Sequence, residues 1–63
     1  MRFNITTSYG GGPEVMIAQA DDYQTARSTA RHLSADLGAR YWVRSQLRPG
    51  DRAESFANGV SEG

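Results

Sequence analysis

Between Tyr23 and Leu37 the apolar residues keep the period of a helix, and on both sides of that stretch they keep the period of a strand. Tyr23, Ala26, Ala30, Leu33 and Leu37 line one stripe, with Gln24, Arg27, Ser28, Arg31, His32 and Ala35 on the other side. One helix with one apolar stripe must bury it on something, and the flanking alternating segments offer a sheet. Asp21, followed by Gln24, has the spacing of a capping box, and Gly38 directly after Leu37 suits a left-handed C-terminal cap. The small Ala26 and Ala30 let the helix lie close to the sheet.

Ahead of the helix, Phe3, Ile5, Thr7 and Tyr9 alternate with Arg2, Asn4, Thr6 and Ser8, the pattern of a half-buried strand. Gly10-Gly11-Gly12-Pro13 interrupts it with turn-forming residues, and β-formers resume at Val15, Met16 and Ile17, so the two segments read as a hairpin. After the helix a third strand runs from Arg40 to Leu47. Arg48-Pro49-Gly50-Asp51 has Pro and Gly where a type II turn wants them, and Ala53 to Ala57 can form a fourth strand. The fold class is therefore α+β: a small antiparallel sheet of three or four strands, ββαβ with an optional final strand, and one helix packed on one face. A right-handed crossover sets the third strand beside the first, in spatial order 2-1-3 or 2-1-3-4. Residues 1–57 form the domain, and the small polar segment 58–63 is expected to fray.

A chain of 63 residues can build only one modest core, burying about 60% of the surface it exposes when unfolded. Without cysteine no disulfide or zinc ribbon can reinforce that core, so self-association or a bound partner is expected, in a cytoplasmic setting by default. The seven basic residues, all arginine, balance seven acidic ones, which argues against a nonspecific DNA coater. No apolar run approaches the roughly 18 residues of a membrane span, and the N-terminus lacks a signal-peptide core.

The informative strand is Ala39-Arg40-Tyr41-Trp42-Val43-Arg44-Ser45. Phe3, Ile5, Val15, Ile17, Tyr41 and Val43 can fill the helix-covered side of the sheet. Alternation then sets Arg2, Asn4, Thr6, Met16, Ala18, Arg40, Trp42 and Arg44 on the uncovered side. A tryptophan and a methionine among arginines resemble the composition of a binding patch, with Arg40, Trp42, Arg44, Met16, Arg2 and Asn4 as the contact set. Two other readings of Trp42 stand beside this: a ring covered by arginine stems, or a core residue re-aimed by a bulge.

Other groups point to no chemistry. Gly10-Gly11-Gly12 precedes a strand, whereas phosphate-cradling loops feed a helix N-terminus. His32, the sole histidine, sits four residues before Asp36 on the outer helix face, the spacing of an exposed pair, and has no companion metal ligand. Arg27 and Arg31 read as a solvated basic stripe. No acid, base and nucleophile are grouped, so the chain reads as non-enzymatic, with no cofactor and no metal.

The alternating N-terminal strand, the acidic helix cap, the alanine-rich helix carrying Tyr23-Gln24-Thr25-Ala26-Arg27 and the Tyr41-Trp42-Val43-Arg44 strand resemble small uncharacterised ββαβ(β) proteins of actinobacteria and their phages. The resemblance spans most of the chain, carries over no functional residue, and implies a phage- or host-encoded regulator. The residues favour a protein-binding module, acting through the uncovered sheet face, through a free sheet edge or as a homodimer. The alternative is a nucleic-acid-binding domain that uses the sheet face around Trp42, against which the balanced charge and the single aromatic residue count.

Overall fold

The computed structural model describes residues 2–48 and 52–62. Strands β1 (Phe3–Ser8) and β2 (Glu14–Ala20) precede helix α1 (Tyr23–Leu37), and β3 (Tyr41–Ser45), β4 (Arg52–Ala57) and β5 (Val60–Ser61) follow it. All pairings are antiparallel, in the order β2-β1-β3-β4-β5. The α+β fold and the central 2-1-3-4 order stand as the sequence reads them, with one strand more than expected.

That strand comes from the segment expected to fray. Asn58 and Gly59 have φ of 54° and 80°, and Ala57 pairs directly with Val60 across them. Positive φ at both positions of a two-residue loop is the type I′ geometry that matches strand twist, and Asn-Gly is its preferred dipeptide. The hairpin is anchored to the helix, because the Gly59 N–H donates to Ser34 Oγ at 2.9 Å. The type II turn expected at 48–51 falls mostly on residues 49–51, outside the described residues.

Both helix ends are capped, the first one residue later than the sequence suggests. Asp22, not Asp21, is the N-cap: its carboxylate accepts from the Thr25 N–H at 2.8 Å and the Thr25 hydroxyl at 2.9 Å. Thr25 supplies two donors to Asp22, its N–H and its hydroxyl. These bonds hold the Asp22 carboxyl below its ordinary value, the backbone bond from Thr25 contributing most. At the other end Gly38 adopts φ 66° and its N–H reaches the Ser34 carbonyl at 3.0 Å.

Ala26 and Ala30 are fully buried against Ile5, Tyr41, Val43 and Phe56, and these six form the core. Two alanines at the crossing bring the helix close to the sheet. Phe3 and Tyr23 pack at the edge with ring centroids 5.6 Å apart.

The departures from the expected core have two causes. The pairs Ile5↔Ala18 and Thr6↔Met16 leave Ile17 without an opposite residue, a bulge that shifts alternation by one along β2. Ala18, expected on the uncovered face, therefore lies beside Ile5 and packs against the core. The helix meanwhile lies mainly over β3, β4 and β1 and barely reaches β2. Val15 and Ile17, expected in the core, stay exposed, as does Leu37 at the end of the helix stripe.

Candidate functional site

The sheet face away from the helix carries Met16, Thr6, Trp42 and Ser55 in one row and Gln19, Asn4 and Arg44 in the next. Tyr41 and Val43 are buried under the helix, so Trp42 between them points to the other face, where it is half-buried. The contact set read from the sequence is thus largely brought together there, but its charges are committed to the chain itself.

Arg44 on β3 reaches diagonally across β1 to Glu14 on β2. Its Nε donates to Glu14 Oε1 at 2.8 Å and its Nη2 to Oε2 at 2.6 Å, a bidentate pair with side chains only 18% and 30% exposed. The Thr6 hydroxyl donates to the same Oε1 at 2.8 Å. Hydrogen bonding to Glu14 raises the Arg44 pKa above its ordinary value. Asn4 Oδ1 accepts from the amides of Gln19 and Gln46 at 3.2 and 3.3 Å. Arg40 pairs with Glu62 at 2.9 Å, and Arg2 with Asp21 at 3.4 Å, both at exposed positions. An incoming phosphate would have to displace a carboxylate at each of these three arginines.

Behind the helix, a polar cluster that the sequence did not reveal ties β4, β5 and α1 together. Glu54 is only 8% exposed, and its carboxylate accepts a bidentate pair from Arg27, at 3.0 and 3.2 Å, and single bonds from the Tyr23 and Ser61 hydroxyls. Arg27 also stacks over the Phe56 ring at 5.6 Å, so it is not the solvated residue its place on the outer helix face suggests. The Arg27 bonds, with help from Ser61 and Tyr23 and against the cost of burial, hold the Glu54 carboxyl down to about 2. Burial, then Glu54, pushes the Tyr23 hydroxyl up. Every carboxylate oxygen has a donor, which makes this a structural clasp. The shallow recess beside it, about 230 Å³, is lined by Gln24, Arg27, Ser28 and Arg31. Among the described residues no group of three His, Asp or Glu could hold a metal ion.

Exposed large apolar residues are most numerous on and beside β2, with Leu47 and Val60 exposed elsewhere. Val15, Met16 and Ile17 are 41%, 54% and 39% exposed, and Tyr9, in the loop that joins β1 to β2, is 68% exposed. Leu37 is not part of this group: it lies in the last turn of the helix, whose Ser34 Oγ accepts from the Gly59 N–H of the β4–β5 hairpin. Met16 is the one member of the expected contact set in this group. Tyr9, Val15 and Ile17 were hidden by their alternation, which assigns them to a face the helix was assumed to cover completely.

No family model, no curated protein and no solved structure matches this chain.

Proposed function

We propose that this chain is a small non-enzymatic protein-binding module whose contact surface is the β2 side of the domain, not the Trp42 face. One observation carries the reading: Val15 and Ile17 stand exposed on the edge strand β2, which the helix covers only in part, with Tyr9 exposed in the adjoining loop and Met16 exposed on the opposite face of the same strand. Scattered exposed apolar residues are ordinary, whereas several gathered on one edge strand favour a contact there. The Trp42 face supports this assignment by contrast, since its arginines are neutralised by Glu14 and Glu62. A nucleic-acid reading of that face loses the cations it depends on.

A photoreactive residue placed at position 17, compared with one at Ser28 on the outer helix surface, tests the proposal in cells and in the purified protein. Protein adducts at 17 that disappear with Tyr9→Ser, and none at 28, support it. Equal labelling at the two positions, or none at 17, refutes it. The reading is compatible with a cytoplasmic regulator, and no helix among the described residues is long and apolar enough to cross a membrane.

A further inference from the structure

We propose that the recess on the outer surface of α1, lined by Gln24, Arg27, Ser28 and Arg31, is a binding site for a phosphate monoester. The site is separate from the β2 flank and does not depend on the reading of that flank as a protein contact.

Spacing brings the four residues together. Positions 24, 27, 28 and 31 follow one another at intervals of three and four, so their side chains are neighbours on one side of the helix. All four can donate hydrogen bonds, through two guanidiniums, a hydroxyl and a carboxamide. Two arginines one turn apart repel each other unless a negative group offsets them, and Glu54 offsets only Arg27.

Arg27 is fixed before a ligand arrives. Its Nε and Nη2 donate to Glu54 at 3.0 and 3.2 Å, and its guanidinium lies 5.6 Å from the centre of the Phe56 ring. These bonds leave Nη1 over. A planar group already held on one edge loses little freedom when it gains a bond on the other.

Arg31 supplies the charge. Arg2, Arg27, Arg40 and Arg44 each face a carboxylate of the chain, whereas Arg31 faces none among the described residues. The acids ahead of the helix are turned elsewhere: Asp22 accepts from Thr25, and Asp21 pairs with Arg2. Asp36, five positions beyond Arg31, lies about 140° round the helix from it. An anion entering the recess therefore meets Arg31 without displacing a carboxylate, unlike at Arg2, Arg40 and Arg44.

Size and donor number select the ligand. At about 230 Å³ the recess is smaller than the roughly 300–1,000 Å³ of sites that enclose drug-sized ligands, so it takes an anionic group and not a whole nucleotide. A carboxylate offers two oxygens. A phosphate monoester offers three, one each for Arg31, Arg27 Nη1 and the Ser28 hydroxyl.

Amide and arginine Nε spectra of the labelled full chain, titrated with inorganic phosphate and with methyl phosphate at constant ionic strength, test the site. Shifts at Gln24, Ser28 and Arg31 are expected to saturate in the millimolar range. Arg31→Gln is expected to weaken binding at least about tenfold, through loss of one charge-assisted contact. Arg27 is left intact because it holds Glu54. Arg44→Gln removes the same charge from the opposite face of the sheet and is expected to leave binding unchanged. Shifts that grow without saturating, saturation centred on other residues, acetate binding as tightly as phosphate, or equal weakening by the two substitutions would overturn the proposal. Flotation with phosphatidylcholine vesicles that contain phosphatidic acid separates the sources of the ester. Flotation that requires Arg31 would place it on a lipid, and saturable methyl phosphate binding without flotation would place it on a soluble molecule.

Discussion

The two ends of the sheet solve the same problem in opposite ways. At the β4–β5 end the helix lies overhead, Phe56 is fully buried, and the carboxylate of Glu54 is matched by donors from Tyr23, Arg27 and Ser61. The last strand is only two residues long, which leaves little unpaired backbone. At the β2 end the edge strand is seven residues long and bulged, and it exposes Val15, Met16 and Ile17 beside the polar Glu14 and Gln19. One helix of 15 residues cannot cover five strands. Where it reaches, Glu54 and its donors are satisfied internally; at β2, Val15 and Ile17 stay exposed. The β4–β5 end is built for stability and the β2 end for contact, and substitutions at the two ends should differ accordingly.

The largest expected loss is at the covered end. Phe56→Ala should destabilise the fold by about 3–5 kcal/mol in urea denaturation, because it empties the centre of a small core. Glu54→Gln should follow at about 2–3 kcal/mol at neutral pH, since it leaves the Arg27 guanidinium facing a neutral amide. This loss depends on pH in a defined direction. The Glu54 carboxyl titrates near 2 when folded against an ordinary 4.5, so its stabilisation is complete above about 4.5 and disappears as pH falls toward 2. Wild type and Glu54→Gln should therefore converge in stability across that window; curves that stay parallel would remove the clasp from the account.

Gly59→Ala should cost about 1–2 kcal/mol, because φ is 80° there and the added Cβ would lie 3.1 Å from the Ala35 Cβ. Arg44→Gln should cost about 1 kcal/mol, with no change in the retention of single- or double-stranded nucleic acid on filters at low salt. A selective drop in retention would restore the Trp42 face as a binding site. Smallest of all, Ile17→Thr should change the stability of the fold by no more than about 0.5 kcal/mol. A loss comparable to that at Phe56 would make β2 part of the core and erase the contrast between the two ends.

Much of the architecture was legible because each element carries its own local signal. The stripe from Tyr23 to Leu33 and the left-handed Gly38 define the helix, and the alternation around Trp42 assigns that residue to the correct face. What escaped depends on relations between elements. The bulge at Ile17 arises from how β2 meets β1, and no residue within Val15-Met16-Ile17-Ala18 announces it. Nor does the helix stripe say which strands it will cover, so Val15 and Leu37 looked like core. Glu54 and Arg27 are 27 residues apart, and nothing local joins a carboxylate on a short strand to an arginine on the outer half of a helix. The Asn58-Gly59 turn is different: its dipeptide is the strongest short-range hairpin signal, and the small polar residues around it disguised it as a tail.

Photo-crosslinking from position 17, read against positions 28 and 42, bears most directly on the assignment of the contact surface to the β2 flank. Protein adducts should form from position 17 and not from 28 or 42. Adducts from position 42 with none from 17 would contradict it.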